Sequence, residues 1–136
     1  MNGYCFDTDV LSATLRADPS LPLVRRLARV APTEQMTTAI TVGELIYGAT
    51  RRGSPTLSRR VRDLLDAALA ILPFDRGAAE VYGALRAALE REGRRLDEPD
   101  LRIAAIALSR DLVLVTGNVR HFARVPGLTV ENWLVP

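Results

Sequence analysis

Short apolar segments alternate along the chain with longer segments whose apolar residues recur every three or four positions. The short segments predict β-strands, because they are bounded by turn-forming or acidic residues and are too short for helices. They cover residues 3–7, 36–39, 71–74 and 112–116, with a final segment at 128–134 that predicts an edge strand. The run Leu112-Val113-Leu114-Val115 is rich in β-branched residues, which is typical of a strand buried on both faces.

The longer segments predict amphipathic α-helices between the strands. Thr8 or Asp9 is placed to cap the first of them, and Pro19, Pro22 and Pro32 bound the second. Apolar residues recur at helical spacing over residues 10–15, 23–30, 41–47, 57–69, 78–89 and 97–108. The range 57–69 includes Ala68. Strands that alternate with helices indicate an α/β fold with a central, mostly parallel β-sheet flanked by α-helices. Because no repeat or linker interrupts the pattern, we expect a single domain over residues 1–136.

The composition is that of an ordinary globular protein, with 48% hydrophobic and 25% charged residues. No run approaches the ~20 apolar residues that a membrane span needs, and the N-terminus has no pattern of a secretory signal. We therefore expect a cytoplasmic protein without a membrane partner. The single cysteine, Cys5, excludes an internal disulfide and is interpreted as a buried packing residue.

Arginine supplies all 18 basic side chains, since the sequence contains no lysine. Several arginines are adjacent, as at 25–26, 51–52, 59–60 and 94–95, although the net charge is only +2. Arginine binds phosphate groups in a bidentate manner, but the same pattern is typical of solvated helix faces. The charge therefore permits an RNA partner without requiring one.

Polar residues that could carry chemistry follow the predicted strands. Asp7 ends the first strand, Glu44 lies early in the helix that follows the second, and Asn118 follows the strand at 112–116. In an open parallel sheet, the reactive site lies outside the carboxyl ends of the strands. Asp100 begins a helix, and its end of the sheet is not determined by the sequence pattern alone.

Clustered carboxylates repel one another, so a pocket that contains Asp7, Glu44 and Asp100 requires a cation. Carboxylate and amide oxygens, without histidine or cysteine, suit Mg²⁺, with Mn²⁺ as the alternative. Such an ion activates water for attack on phosphorus. The predicted reaction is hydrolysis of a phosphodiester bond.

Each candidate also has a structural interpretation. Thr41 and Glu44 match a capping box, Asp97 and Asp100 match an N-cap and an acid in the first turn of a helix, and Asn118 matches a turn or cap. Asp7 is harder to explain structurally, because an acid next to buried residues needs a partner. Asp9 is interpreted as a cap or a supporting residue. His121 is interpreted as a surface or turn residue, and Trp133 as a packing residue.

The sequence resembles the PIN-domain ribonucleases and, among them, the VapC toxins of type II toxin–antitoxin systems. The resemblance rests on five segments in order: FDTDVLSA, TTAITVGELIYGA, ILPFDRGAAEVYGAL, LDEPDLRIAAIAL and LVLVTGNVRHFARVPGLTVENW. It implies a Mg²⁺-dependent endoribonuclease in which Asp7, Glu44 and Asp100 hold the metal and share one pocket. Asn118 stands where the wider family has a fourth acid. The resemblance also implies an RNA substrate, a VapB-like antitoxin and a homodimer.

Two alternatives remain. A catalytically degenerate PIN domain would act only as a binding or regulatory module. A haloacid-dehalogenase-like phosphatase would use Asp7 as nucleophile and Asp9 as acid and base, since Asp7-Thr8-Asp9 imitates an Asp-x-Asp motif. Against the phosphatase, Val10-Leu11 replaces the usual Gly-Thr, and the chain has no lysine.

Overall fold

A computed structural model describes residues 3–67 and 69–136. Within them, five parallel strands form one sheet in the order β3-β2-β1-β4-β5. The strands are β1 (Tyr4–Phe6), β2 (Gln35–Thr38), β3 (Ala70–Leu72), β4 (Val113–Val115) and β5 (Val130–Glu131). The predicted fold class is confirmed, and the last strand does lie at an edge of the sheet.

Helices connect the strands and cover both faces of the sheet. They are α1 (Thr8–Thr14), α2 (Leu21–Ala28), α3 (Ala39–Arg52), α4 (Pro55–Asp66), α5 (Arg76–Arg91), α6 (Glu98–Ser109) and α7 (Val119–Phe122). A short 3-10 helix, Pro32–Glu34, precedes β2. No helix in the described ranges is long and apolar enough to cross a membrane.

The hydrophobic core consists of two layers, because successive side chains of a strand point to opposite faces of the sheet. Cys5 and Leu114 belong to one layer, which includes residues of α5 and α6. Phe6 and Val115 belong to the other layer, which includes residues of α1 to α4 and Trp133. Cys5 and Trp133 are fully buried, as their interpretation as packing residues requires.

The helix boundaries differ from the sequence prediction in three places. Pro22 lies in the first turn of α2, where its missing N–H costs no helical hydrogen bond, and so it does not interrupt the segment. The helix predicted at 57–69 ends at Asp66, and Ala68 lies outside the described residues. The short helix α7 was not predicted, because its four residues are too few to show helical spacing.

Candidate active site

Asp7 joins β1 to α1 at the carboxyl edge of the sheet. Its own side chain caps α1, since Oδ1 accepts a hydrogen bond from the backbone N–H of Thr8 at 2.8 Å. The prediction that Thr8 or Asp9 caps this helix was therefore wrong by one or two residues. Oδ2 accepts a hydrogen bond from Oγ1 of Thr116 at 2.8 Å, just beyond β4. These two contacts hold a carboxylate that is only 6% exposed.

Asp9 supports the same edge from its other side. Its Oδ2 accepts the backbone N–H of Gly117 at 2.8 Å, and its Oδ1 lies 3.4 Å from Oγ1 of Thr116. A Cβ atom at Gly117 would lie 2.7 Å from Oδ2 of Asp9, so a side chain at this position would displace the Asp9 carboxylate. Asp9 thus positions the loop that carries Thr116, which agrees with its interpretation as a supporting residue.

Glu44 projects from α3 toward the start of α1. Its Oε1 accepts a hydrogen bond from Oγ1 of Thr8 at 2.6 Å. The capping-box interpretation was wrong, because the N-cap of α3 is Thr38, whose hydroxyl accepts the N–H of Thr41 at 3.1 Å. Glu44 is therefore free of any role in capping its own helix.

Asp100 lies in the first turn of α6 and contacts the only histidine of the chain. Its Oδ2 is 3.0 Å from Nε2 of His121, whose side chain is 19% exposed. The N-cap of α6 is Asp97, and its side chain makes no capping hydrogen bond. The surface or turn interpretation of His121 did not foresee this contact, because 21 residues separate the pair and no local pattern relates them.

Asp100 lies close enough to Asp7 and to Glu44 for their charges to interact, and the region that the three residues form is here called the acidic edge. The pKa of Asp7 is raised to about 6, chiefly by burial and also by the negative charges of Asp9 and Asp100, while hydrogen bonds from Thr116 and Thr8 oppose the shift. Burial also raises the pKa of Asp100, which His121 lowers and the charges of Glu44 and Asp97 raise. Asp100 thus interacts electrostatically with both of the other predicted site residues.

Asn118 reaches the acidic edge through its backbone. It is exposed at the N-cap position of α7, and its N–H donates to Oγ1 of Thr116 at 3.1 Å. Its side chain makes no capping hydrogen bond in α7. Asn118 therefore lies on the loop that contacts Asp7, and its side-chain amide does not cap α7.

The carboxylates of the acidic edge do not form a tight cluster. In residues 3–67 and 69–136, no group of three or more His, Cys, Asp or Glu side chains is drawn together as a metal cage. The donor set nevertheless fits a hard divalent cation, since it consists of carboxylates whose mutual repulsion a cation would relieve. The oxygens of Asp7 each keep a lone pair beyond the hydrogen bonds from Thr8 and Thr116.

Two threonines of the site, Thr8 and Thr116, were not among the predicted site residues. Each donates its hydroxyl to a carboxylate of the acidic edge. The only sequence signal was their position beside acids or at a strand end, which is too common to identify a function.

Residues 4–128 match the PIN domain family. The tRNA(fMet)-specific endonuclease VapC of Shigella flexneri is 34% identical over 130 residues, which are 96% of this chain and 97% of that protein. Ribonuclease VapC2 of Haemophilus influenzae is also 34% identical, over 96% of this chain and 98% of its own length.

The fold is similar to that of a solved complex. A chain of DNA-bound VapBC from Salmonella typhimurium superimposes with a TM-score of 0.85 at 34% identity, covering 98% of this chain and 99% of that one. This chain therefore belongs to the PIN-domain family and, within it, to the VapC ribonuclease toxins of toxin–antitoxin systems. The nuclease interpretation is confirmed over the phosphatase alternative.

Proposed function

We propose that this chain cleaves RNA by metal-dependent hydrolysis, with Asp7, Glu44 and Asp100 as ligands of Mg²⁺ and with Mn²⁺ as the alternative ion. The observation that carries this proposal is the electrostatic coupling of the acidic edge, where Asp100 interacts with both Asp7 and Glu44. Asn118 is an additional neutral oxygen donor on the adjacent loop. When bound, the metal lowers the pKa of a water molecule and neutralises charge on the leaving oxygen.

The protein's own groups keep the three carboxylates in place for this chemistry. Thr116 and the N–H of Thr8 hold Asp7, the hydroxyl of Thr8 holds Glu44, and His121 holds Asp100. The hydrogen bonds to Asp7 favour its charged form, which is the form that binds a cation. Thr8 links two of the ligands, because its backbone contacts Asp7 and its side chain contacts Glu44.

A transfer RNA is the proposed substrate class, because the relative from Shigella flexneri is a tRNA(fMet)-specific endonuclease. The proposed compartment is the cytoplasm, where such RNA is found.

The proposed partner is a VapB-like antitoxin, since the matched chain from Salmonella typhimurium comes from a VapBC complex. We also propose a homodimer and a single domain, and light scattering of the purified chain tests the former.

The antitoxin is expected to inhibit by covering the acidic edge with a basic side chain, since an arginine pairs with a carboxylate in two hydrogen bonds and excludes a metal. Apolar residues for its docking are exposed on α2, at Leu21 and Val24, and on α3, at Ile46 and Tyr47. Leu23 and Leu45, on the same helices, are buried and not available. Saturating Mg²⁺ should bind the inhibited complex much more weakly than the free chain, and equal binding would refute occlusion.

The decisive experiment is cleavage of labelled total RNA by the purified chain after verified removal of antitoxin. We expect cleavage with Mg²⁺, none with excess chelator, and none by Asp100→Asn. If the wild-type protein cleaves no RNA under any metal condition, the degenerate PIN domain is the correct alternative. Sequencing of the RNA 5′ ends formed on expression in cells identifies the substrate.

A further inference from the structure

A cavity of about 560 Å³ opens beside the acidic edge, among α1, α3 and α4. Thr8 and Glu44 line it at the acidic edge, and these are the two residues joined by the 2.6 Å hydrogen bond. The volume lies within the range of ligand sites in proteins. The cavity is therefore continuous with the proposed catalytic residues.

The cavity has an apolar floor and a basic rim. Leu15, Leu45 and Val61 are among the apolar residues of the floor. Arg16, Arg52 and Arg60 line the rim from the end of α1, from α3 and from α4, respectively. Glu44 is the only carboxylate among the described lining residues, so the charge of the cavity away from the acidic edge is positive.

The guanidinium groups of these three arginines have no ion-pair or hydrogen-bond partner in the described part of the chain, in contrast to those of Arg26 and Arg86, which bind carboxylates. Guanidinium groups that line one cavity without a carboxylate partner attract an anion. Bidentate hydrogen bonds make arginine well suited to phosphate groups.

We infer that this cavity binds the ribose-phosphate backbone of the RNA strand next to the scissile bond, with Arg52 and Arg60 paired to phosphates and Arg16 in support. The inference rests on the proposed function, because a strand whose scissile phosphate lies at the acidic edge has to continue along an adjoining surface. Charge complementarity selects RNA as the occupant: three unpaired cations face a polyanion, whereas a basic antitoxin segment would be repelled.

The test uses two double variants of equal charge. Arg52→Gln with Arg60→Gln removes two rim cations, and Arg51→Gln with Arg59→Gln removes their sequence neighbours, which are exposed on the same helices but do not line the cavity. Binding of a fluorescein-labelled oligouridylate is measured by anisotropy in chelator, so that nothing is cleaved. Over a salt series, each lost phosphate contact lowers the slope of log K against log salt by ~0.7.

We expect the rim variant to bind at least about tenfold more weakly, a loss of ~1.4 kcal/mol, with a salt slope reduced by roughly 1.4, and the control variant to change much less. In cleavage with Mg²⁺, the rim variant should show a raised KM at nearly unchanged kcat. The double variant Arg52→Lys with Arg60→Lys keeps both charges and should recover most of the binding. It replaces the glutamine variant in the comparison if the glutamine variant does not fold.

Equal affinity and equal salt slope for the rim and control variants would overturn the inference. So would a rim variant that binds oligouridylate normally but no longer co-purifies with its antitoxin, because the cavity would then be a protein-docking site. Both results leave the proposed function standing if the wild-type chain still cleaves RNA. Loss of cleavage by the wild-type chain itself refutes the proposed function, whatever the binding data show.

Discussion

Glu98 and Asp100 lie two residues apart at the start of α6 but have opposite electrostatic environments. Glu98 accepts hydrogen bonds from Tyr82 at 2.8 Å to each oxygen and forms ion pairs with Arg86 at 3.1 Å and Arg102 at 3.4 Å. Among the described residues, Asp100 has one contact of this kind, with His121, and it also experiences the negative charges of Glu44 and Asp97. The protein compensates one carboxylate with arginine and leaves the other without it.

The acidic edge does not result from a shortage of cations in the protein. The chain has 18 arginines, and two of them contact Glu98 within one turn of Asp100. A partly buried carboxylate that lies near other negative charges and has no arginine partner destabilises the fold unless a cation binds it. Glu98 and its partners therefore join α5 to α6 and are structural. Asp100, which lies near the charges of Glu44 and Asp97, is suited to binding a cation.

Loss of the Asp100 charge should affect catalysis most strongly. Asp100→Asn should lower kcat for RNA cleavage by at least about 10³-fold, because it removes a charge that holds the metal, worth several kcal/mol in the transition state. Glu98→Gln should change kcat by less than about threefold, since Glu98 bonds to α5 and to its own helix. Single-turnover cleavage with Mg²⁺ measures both variants, and equal losses would show that the two carboxylates do not differ in function.

The second effect is metal-induced stabilisation. Mg²⁺ at about a hundredfold above its Kd should stabilise the wild-type protein by roughly 2.7 kcal/mol, because it binds the native state only. The increase in Tm should be clearly smaller for Asp7→Asn and unchanged for Glu98→Gln. Thermal unfolding monitored by circular dichroism checks this, and identical increases in wild type and Asp7→Asn would place the metal elsewhere.

The third effect is the pH dependence of stability in the metal-free protein. The pKa of Asp7 is raised to about 6 in the folded state, so its ionisation destabilises the fold as pH rises from about 4 to above 6. Asp7→Asn should therefore be more stable than wild type by roughly 1–3 kcal/mol at pH 7.5 and about equal to it at pH 4. Urea unfolding in chelator at both pH values measures the difference, and a variant less stable at pH 7.5 would contradict the assigned burial of charge.

The smallest effect concerns the compensated carboxylate. Glu98→Gln should lower Tm only slightly at low salt, and the difference should vanish at high salt, since partly exposed ion pairs are screened. The side chains of Glu98, Arg86 and Arg102 are 45%, 49% and 47% exposed. A large loss that persists in high salt would mean that Tyr82 and its hydrogen bonds, and not the charges, join α5 to α6.

Much of the fold could be predicted from the sequence alone, because the relevant signals are local. Apolar periodicity of 2 or 3.6 residues is a property of consecutive side chains, and it located the strands and the long helices to within a few residues. The position of an acid directly after a buried strand singled out Asp7, and the α/β alternation placed Glu44 after the second strand. The interpretation of Cys5 and Trp133 as packing residues agrees with their burial.

Which of these residues come into contact depends on how the strands and helices pack. β1 lies between β2 and β4, and this strand order brings Thr116 to Asp7 across 109 residues of sequence. The packing of α1 on α3 gives Glu44 its hydrogen bond from Thr8, and the start of α7 brings His121 to Asp100. The convergence of Arg16, Arg52 and Arg60 has the same origin. Such contacts depend on how whole elements pack, and the spacing of residues along the chain carries no record of that packing.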